Sequence, residues 1–442
     1  MRKFILINSP LSREPIKADE NYLPPLGLGY IATYLNEAEI NVEVVDCIRE
    51  KISVSKIISY VNNIHPDFVG INIFTQNYEI VKYIIENIDV GIDCFIGGQA
   101  VKSIYDDIIS WNTDNRLNII IGEGEFLIPA IVNQCCVQKP MKQSKSCAVY
   151  KVDNDSAYFP KDISNIHLNR DFLGNETILN HYDEKEVAII TSRGCPFNCA
   201  FCGGANSSNK NISIRIRTEA SIKDEIEEIL FRYPDIQSIR ILDDLFLRNS
   251  ESVKKANSIF SEFPQLSWRG MVHVLSLTKS LECIKELKIG KCKELFMGIE
   301  SGSETIRNKI NKMGTVNEVI KVSEEILKNG IDLKGYFIYG FPNETEKDFR
   351  ETYNLAAKLK EISQSSTGKF RTSVFQFRPY HGTQLYDEII RNGGKIDECN
   401  FNSIVSKSNG RSQFSFDSGN YSMESTDLLN QYILKTQRLG DE

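Results

Sequence analysis

The chain has 442 residues, 41% of them hydrophobic and 25% charged, with a formal charge of −7. That length predicts two or three domains rather than one, and the acidic balance, with no lysine/arginine block, excludes a general nucleic-acid binder. No apolar run approaches the ~20 residues needed to cross a bilayer, the start Met1-Arg-Lys-Phe-Ile-Leu-Ile-Asn8 forms no signal peptide, and eleven cysteines in such a chain point to reduced thiols and metal chemistry, so a cytoplasmic protein with no membrane or nucleic-acid partner is expected.

In chain order, Phe4–Asn8, Val42–Asp46, Phe68–Phe74, Cys94–Ile96 and Asn118–Ile121 read as strands, with helices over about 26–36, 53–63, 79–88 and 100–110 between them. Continuous apolar strands alternating with helices predict an α/β fold, a doubly wound parallel sheet of flavodoxin- or Rossmann-like order. Its ligand crevice would lie at the strands' carboxyl ends. Residues 136–184 read as a polar linker, in which Ala148–Val152 and Ala157–Phe159 could pair as a hairpin. Alternation resumes with six strands, Val187–Thr191, Ile239–Leu242, Leu266–Gly270, Glu294–Gly298, Lys334–Tyr339 and Ser373–Phe377. Six βα units suit a (β/α)6 partial TIM barrel over 185–384, reactive at its carboxyl face. A C-terminal extension, 385–442, ends in a helix near Ser425–Gln437.

The most specific feature is Cys195-Pro-Phe-Asn-Cys199-Ala-Phe-Cys202, placed after the first barrel strand. Three thiolates on one short loop suit an inorganic cluster, and leave a four-iron cluster one ligand short. A structural zinc would want a second pair of cysteines, but the nearest downstream cysteine is Cys283. The loop resembles the C-x3-C-x-aromatic-C signature of radical S-adenosylmethionine (SAM) enzymes. The resemblance implies that Cys195, Cys199 and Cys202 ligate a [4Fe–4S] cluster whose open iron takes SAM's amino and carboxylate groups. Gly203 and Gly204 would approach the SAM amino group. Gly298-Ile-Glu-Ser-Gly302 is similar to the family's fourth-strand motif, so Glu300 and Ser301 become SAM contacts. Gly335-Tyr-Phe-Ile-Tyr-Gly340-Phe-Pro-Asn-Glu344 resembles the fifth-strand element, with Ile338 beside adenine, and Phe377–Thr383 the end of the sixth strand. Asp243 and Asp244, at another strand end, either orient SAM or substrate, bind a divalent ion, or cap a helix. Arg378, Tyr380 and His381 either touch substrate or form a turn with His381 solvated.

Gly27-Leu-Gly29-Tyr-Ile-Ala32, with Asp46 beyond it, satisfies a dinucleotide fingerprint but lacks its context, because a charged loop from Ser9 to Pro25 separates it from the first strand. Pro24-Pro-Leu-Gly-Leu-Gly-Tyr30, Gly70–Thr75, Gly97-Gly98 and Gly122-Glu-Gly-Glu125 instead resemble the cobalamin-binding domain fused to many radical SAM enzymes, over about 1–135. Pro24, Leu26, Thr75, Gly97, Gly98, Gly122 and Glu123 would meet the corrinoid. The D-x-H-x-x-G of histidine-ligating domains is absent: Ile48 stands at the histidine position, and the domain's only histidine, His65, precedes Pro66 away from that face. Either cobalamin binds without a protein histidine or the pocket is vestigial. The other cysteines (47, 94, 135, 136, 147, 283, 292 and 399) form no second cluster spacing, which excludes the methylthiotransferase branch and leaves them as small buried hydrophobes.

The resemblance implies a cobalamin-dependent radical SAM enzyme that methylates an unactivated carbon, or less often phosphorus, of a small metabolite, in natural-product biosynthesis. A flavodoxin- or ferredoxin-type reductant would serve it. The alternatives are radical cyclisation, ring contraction or rearrangement without methyl transfer, and a sensor with a structural cluster.

Overall fold

A computed structural model describes residues 2–11, 22–394, 396 and 419–441. Cys399, most of the charged Ser9–Pro25 loop and much of the C-terminal extension therefore lie outside the described residues.

The first sheet is built from β1 (Lys3–Asn8), β2 (Asn41–Asp46), β3 (Phe68–Asn72), β4 (Asp93–Gly97), β5 (Leu117–Ile121), β6 (Lys142–Gln143) and β7 (Cys147–Lys151), in the order β2-β1-β3-β4-β5-β7-β6. All neighbours are parallel except the edge pair β6–β7. The flavodoxin-like order 2-1-3-4-5 is thus present, followed by two further strands. Helices α1 (Leu26–Glu37), α2 (Val54–Ile64), α3 (Tyr78–Asn87), α4 (Val101–Ile109) and α5 (Leu127–Val132) supply the crossovers. Both faces are covered, by one apolar cluster around Ile5, Val69 and Ile96 and another around Phe4, Leu35 and Phe95, which is why these strands read as unbroken apolar runs.

The expected hairpin does not form. β7 leaves Ala157–Phe159 unpaired and joins β5 in parallel, with β6 on its far side. Burial of Ala148 and Val149 against the sheet outweighs the local turn. The glycines of the dinucleotide decoy serve packing: α1 starts after Pro24-Pro25, and a first side-chain carbon at Gly29 would come within 2.9 Å of Leu168 and Leu173.

The second sheet contains β8 (Ile178–Leu179), β9 (Lys185–Ile189), β12 (Ser238–Ile241), β13 (Ser267–Val272), β14 (Cys292–Glu300), β15 (Asp332–Tyr339) and β16 (Phe370–Gln376); β10 (Ser192–Arg193) and β11 (Arg215–Ile216) form a separate antiparallel pair. The order β16-β15-β14-β13-β12-β9-β8 makes the six expected strands consecutive parallel neighbours, with β8 antiparallel at one edge. Helices α6 (Glu219–Arg232), α7 (Ser250–Phe260), α8 (Val274–Thr278), α9 (Ile284–Ile289), α10 (Glu304–Lys309), α11 (Val316–Lys328), α12 (Glu346–Gln364) and α13 (Gln384–Arg391) alternate with them. α14 (Thr426–Asp441) lies over β16, placing Leu429 and Tyr432 in the barrel core and the Thr436 hydroxyl 2.8 Å from that of Tyr339. It covers the open edge of the partial barrel, where unpaired backbone would otherwise be exposed.

The amino end of the barrel is filled by charge. Arg269 bridges Glu186 and Glu294, and Arg371 pairs with Glu294 from β16. Burial alone would raise the Glu294 carboxyl, but Arg371 and Arg269 outweigh it and hold it down to about 2. That end is closed, so the barrel is open for chemistry only at its carboxyl face.

Candidate active site at the carboxyl ends of both sheets

The cysteine loop runs between β10 and β11 and is pinned on every side. Gly194 enters it at φ +95°, where only glycine is unstrained. Within the loop, the Cys202 N–H donates to the Cys199 carbonyl at 3.1 Å and the Asn206 N–H to the Phe197 carbonyl at 3.0 Å. The Ala200 N–H donates to Ile310 at 2.9 Å, and the Ala200 carbonyl accepts from Leu385 at 3.0 Å. Phe201 packs 5.6 Å from Phe341. Burial raises all three thiols, Cys202 to about 12, so a metal would have to compensate the thiolates there. Among the described residues no fourth cysteine joins them, since Cys283 and Cys292 lie in the barrel core and Cys47 and Cys94 in the core of the first sheet. The three thiols act on one another electrostatically, but among the described residues their sulfurs are not gathered into a ready metal site; it is the donor set, three cysteines on one short pinned loop, that fits a cluster keeping one iron open.

Asp243 and Asp244 do not cap a helix: α7 starts later and is capped by Asn249. Asp243 is buried and accepts from the Thr191 N–H at 2.7 Å, the Thr191 hydroxyl at 2.6 Å and the Ser192 hydroxyl. It ties β12 to the entrance of the cysteine loop. Asp244 faces the loop itself, where a first side-chain carbon at Gly204 would lie 3.6 Å from both Asp244 Oδ1 and Cys202 Sγ.

The remaining SAM-motif residues fall into two groups. Glu300 closes β14 at φ +65°, at a register shift against β15, and its buried carboxylate meets Lys312 Nζ at 3.2 Å. A non-glycine residue held in the left-handed region at a strand end marks stored strain. Gly298 makes room for this pair, since a carbon there would lie 2.3 Å from Glu300 Oε1. Ser301, in contrast, is turned inward: its hydroxyl lies 3.0 Å from that of Thr352 and accepts from the Ser303 N–H at 3.1 Å. Ile338 packs with Phe201, Phe341 and Phe377 behind the cysteine loop.

The corrinoid-motif residues lie on a cavity of about 780 Å³ between the two sheets, within the range of cofactor sites. Pro24, Leu26, Gly97, Gly98, Gly122 and Glu123 line it from the first domain; Arg240, Asp243, Asp244, Met271, Phe296 and Tyr336 line it from the barrel. Gly98 and Gly122 have φ of +120° and +103°, and a side chain on either would strike the backbone of Ile73 or Val152. These bare strand ends form a cradle that a planar ligand can approach closely. Ile48 also faces the cavity, while His65 ends α2 at the exposed surface, 3.9 Å from Asp89. The cradle therefore suits cobalamin held without a protein histidine from that motif.

Thr75 sits elsewhere, accepting from the His381 N–H at 3.0 Å and lying 3.0 Å from its Nδ1. His381 is buried, not solvated, and burial lowers it to about 4.

Three contacts were not legible in any motif, although Glu123 itself belongs to one. Glu123 carries two arginines from the cysteine loop's own hairpin, Arg193 at 2.8 Å and Arg215 at 3.0 Å, and Arg193 also reaches Glu125 at 2.8 Å. Lys312 faces Glu300 from the loop after α10. His273 ends β13 stacked 3.8 Å from Phe197, with Nδ1 accepting from Leu275; burial, Lys312 and Arg307 keep it neutral, down at about 2. The one available signal was position, since Glu123 and His273 lie just beyond a strand's carboxyl end; Lys312, in the loop between α10 and α11, had none.

Known proteins agree with this geometry. Residues 189–356 match the family described as the radical SAM superfamily, and residues 16–132 the B12 binding domain. The uncharacterized methyltransferase PH0819 of Pyrococcus horikoshii is 29% identical over 390 residues, 84% of this chain and 79% of the relative. The anaerobic magnesium-protoporphyrin IX monomethyl ester cyclase of Rubrivivax gelatinosus is 22% identical over 351 residues, 75% of this chain and 62% of that one. Among solved structures, the radical SAM methyltransferase TsrM from Kitasatospora setae, with cobalamin and a [4Fe–4S] cluster bound, superposes with a TM-score of 0.67 at 14% identity, covering 99% of this chain and 91% of that one. The chain is a radical SAM enzyme with a B12 binding domain ahead of its barrel, and its cofactors are a [4Fe–4S] cluster, SAM and cobalamin.

Proposed function

We propose that this enzyme transfers a methyl group to an unactivated carbon, or less often phosphorus, of a small molecule in natural-product biosynthesis. The observation that carries the reading is the single cavity shared by Gly97, Gly98 and Gly122 on one side and Asp244, Phe296 and Tyr336 on the other. Methyl transfer between two cofactors needs both to reach one substrate, and Asp244 both lines this cavity and lies beside Gly204 of the cysteine loop. The methyltransferase names of PH0819 and TsrM support the same reaction.

When bound, the cluster and SAM supply a 5′-deoxyadenosyl radical on reduction, and the corrinoid supplies the methyl group. Cys195, Cys199 and Cys202 would hold the cluster, and Glu300 with Lys312 would face SAM's polar part. Met271, Phe296 and Tyr336 form an apolar floor that keeps water from the reacting carbon. Arg240 reaches the same floor, its guanidinium 5.5 Å from the Phe296 ring. A flavodoxin- or ferredoxin-type protein would deliver the electron, in the cytoplasm, with no nucleic acid or membrane involved. No helix among the described residues is long and apolar enough to cross a membrane.

The cyclase relative favours a second reading, radical cyclisation without methyl transfer. Anaerobic reconstitution with cluster and cobalamin, then incubation with SAM and a chemical reductant, separates the two. Methyl transfer requires cobalamin-dependent S-adenosylhomocysteine alongside 5′-deoxyadenosine; 5′-deoxyadenosine alone would refute it.

A further inference from the structure

The cysteine loop is gripped by the other domain. Gly97-Gly98, which line the corrinoid cavity, continue into Gln99 and the first turn of α4. The Gln99 amide occupies the space a side chain at residue 203 would need, its Nε2 2.4 Å from the position of that carbon. The absent side chain of Gly203 thus admits the neighbouring domain. One turn on, Lys102 Nζ donates to the Gly203 carbonyl and to Asn209 Oδ1, both at 3.0 Å. Asn209 in turn donates to the carbonyls of Gly203 at 3.0 Å and Ala205 at 2.8 Å. Burial lowers the pKa of the half-buried Lys102 ammonium, and negative charge on the Cys202 sulfur, as a cluster ligand would carry, and on Asp244 opposes that.

We propose that Lys102 is a positioning residue for the cluster, ordering the 203–209 segment and favouring the cluster's reduced form. The inference rests on the cluster reading of Cys195, Cys199 and Cys202. One electron from the low-potential reductant takes a [4Fe–4S] centre from its 2+ to its 1+ state, adding a negative charge. A fixed cation hydrogen-bonded to the peptide beside Cys202 stabilises that added charge, and its stem is anchored in the helix that follows the corrinoid cradle. Both cofactor sites then share one rigid arm, Gly97 to Lys102.

The test compares wild type with Lys102→Met and Lys102→Arg by redox titration of the reconstituted cluster, followed by electron paramagnetic resonance. Lys102→Met is expected to lower the reduced-to-oxidised ratio at fixed potential about tenfold, which is about 59 mV for a one-electron couple. Lys102→Arg, which keeps the charge, should stay within about twofold of wild type. In cluster-free protein, amide exchange across 203–209 should quicken about tenfold in Lys102→Met while the barrel strands keep their protection. An unchanged ratio in fully loaded Lys102→Met, or equal shifts in both variants, would overturn the electrostatic role. Unchanged exchange would overturn the ordering role. A wild type that takes up no cluster would overturn the cluster reading and the electrostatic role with it, while the exchange measurement still decides the ordering role.

Discussion

Glu344→Gln removes a titration whose size the structure sets. Glu344 lies in the turn after β15, wholly buried, with Oε2 accepting the N–H of Gly340 at 2.6 Å and of Phe341 at 2.9 Å. Its Oε1 has no hydrogen-bond partner. Burial pushes the carboxyl up from the ordinary 4.5 to about 8, against the pull of the two N–H groups. The folded state therefore holds this proton more tightly than the unfolded chain. The carboxyl's contribution to stability is full below pH 4.5 and is lost as the pH rises through 8. At about 1.4 kcal/mol for each pH unit in that window, falling off near pH 8, the wild type should lose about 3.5 kcal/mol between pH 5 and pH 8 from this group. Glutamine accepts the same two N–H bonds and cannot titrate. Urea unfolding of the cluster-free protein, read by the fluorescence of Trp111 and Trp268, should show wild-type stability falling about 3.5 kcal/mol more than that of the variant over this range. Parallel pH profiles would refute the reasoning. The turn matters for the site because Phe341, whose N–H Glu344 holds, packs on Phe201 of the cysteine loop.

Four other substitutions test the cradle and its fastening. Gly98→Ala places a carbon 2.5 Å from the Ile73 carbonyl at φ +120°; it should cost about 2–4 kcal/mol and abolish corrinoid uptake, and wild-type absorbance after reconstitution would contradict this. Glu123→Gln leaves Arg193 and Arg215 without their shared carboxylate and should destabilise by about 3 kcal/mol. Adding Arg215→Gln should then cost less than the sum of the single changes in thermal unfolding, and strict additivity would show that the pair does not interact. Asp243→Ala strips the acceptor from Thr191 and Ser192 and should cost about 2–4 kcal/mol while lowering iron content after reconstitution; full iron loading at wild-type stability would count against Asp243 as the loop's anchor.

Both sheets were legible because their strands are continuous apolar runs at crossover spacing, and every barrel strand lies within a few residues of its expected span. Local reasoning failed where a partner lay far along the chain. Ala148–Val152 read as half of a hairpin with Ala157–Phe159, yet the strand formed there pairs with β5 and β6, because a buried sheet position outweighs a nearby turn. Asp243 was open to three readings, a SAM or substrate contact, an ion site or a helix cap; the cap does not hold, because α7 is capped by Asn249, and the carboxylate accepts instead from Thr191 and Ser192, on the neighbouring strand's exit. His381 looked like a solvated turn residue, and Thr75 of the other domain buries it.

By itself the sequence determined the chemistry the chain can hold, because Cys195, Cys199 and Cys202 share one short loop and need no distant partner to meet. It also determined the two βα scaffolds, through periodicities that act within each element. Only the tertiary structure decided how the two cofactor sites are joined: Asp244 between cavity and cluster loop, Glu123 on two arginines, and Lys102 on the Gly203 carbonyl. Those contacts bring together residues up to about a hundred positions apart, and their energy arises from burial and charge that exist only once the domains have docked.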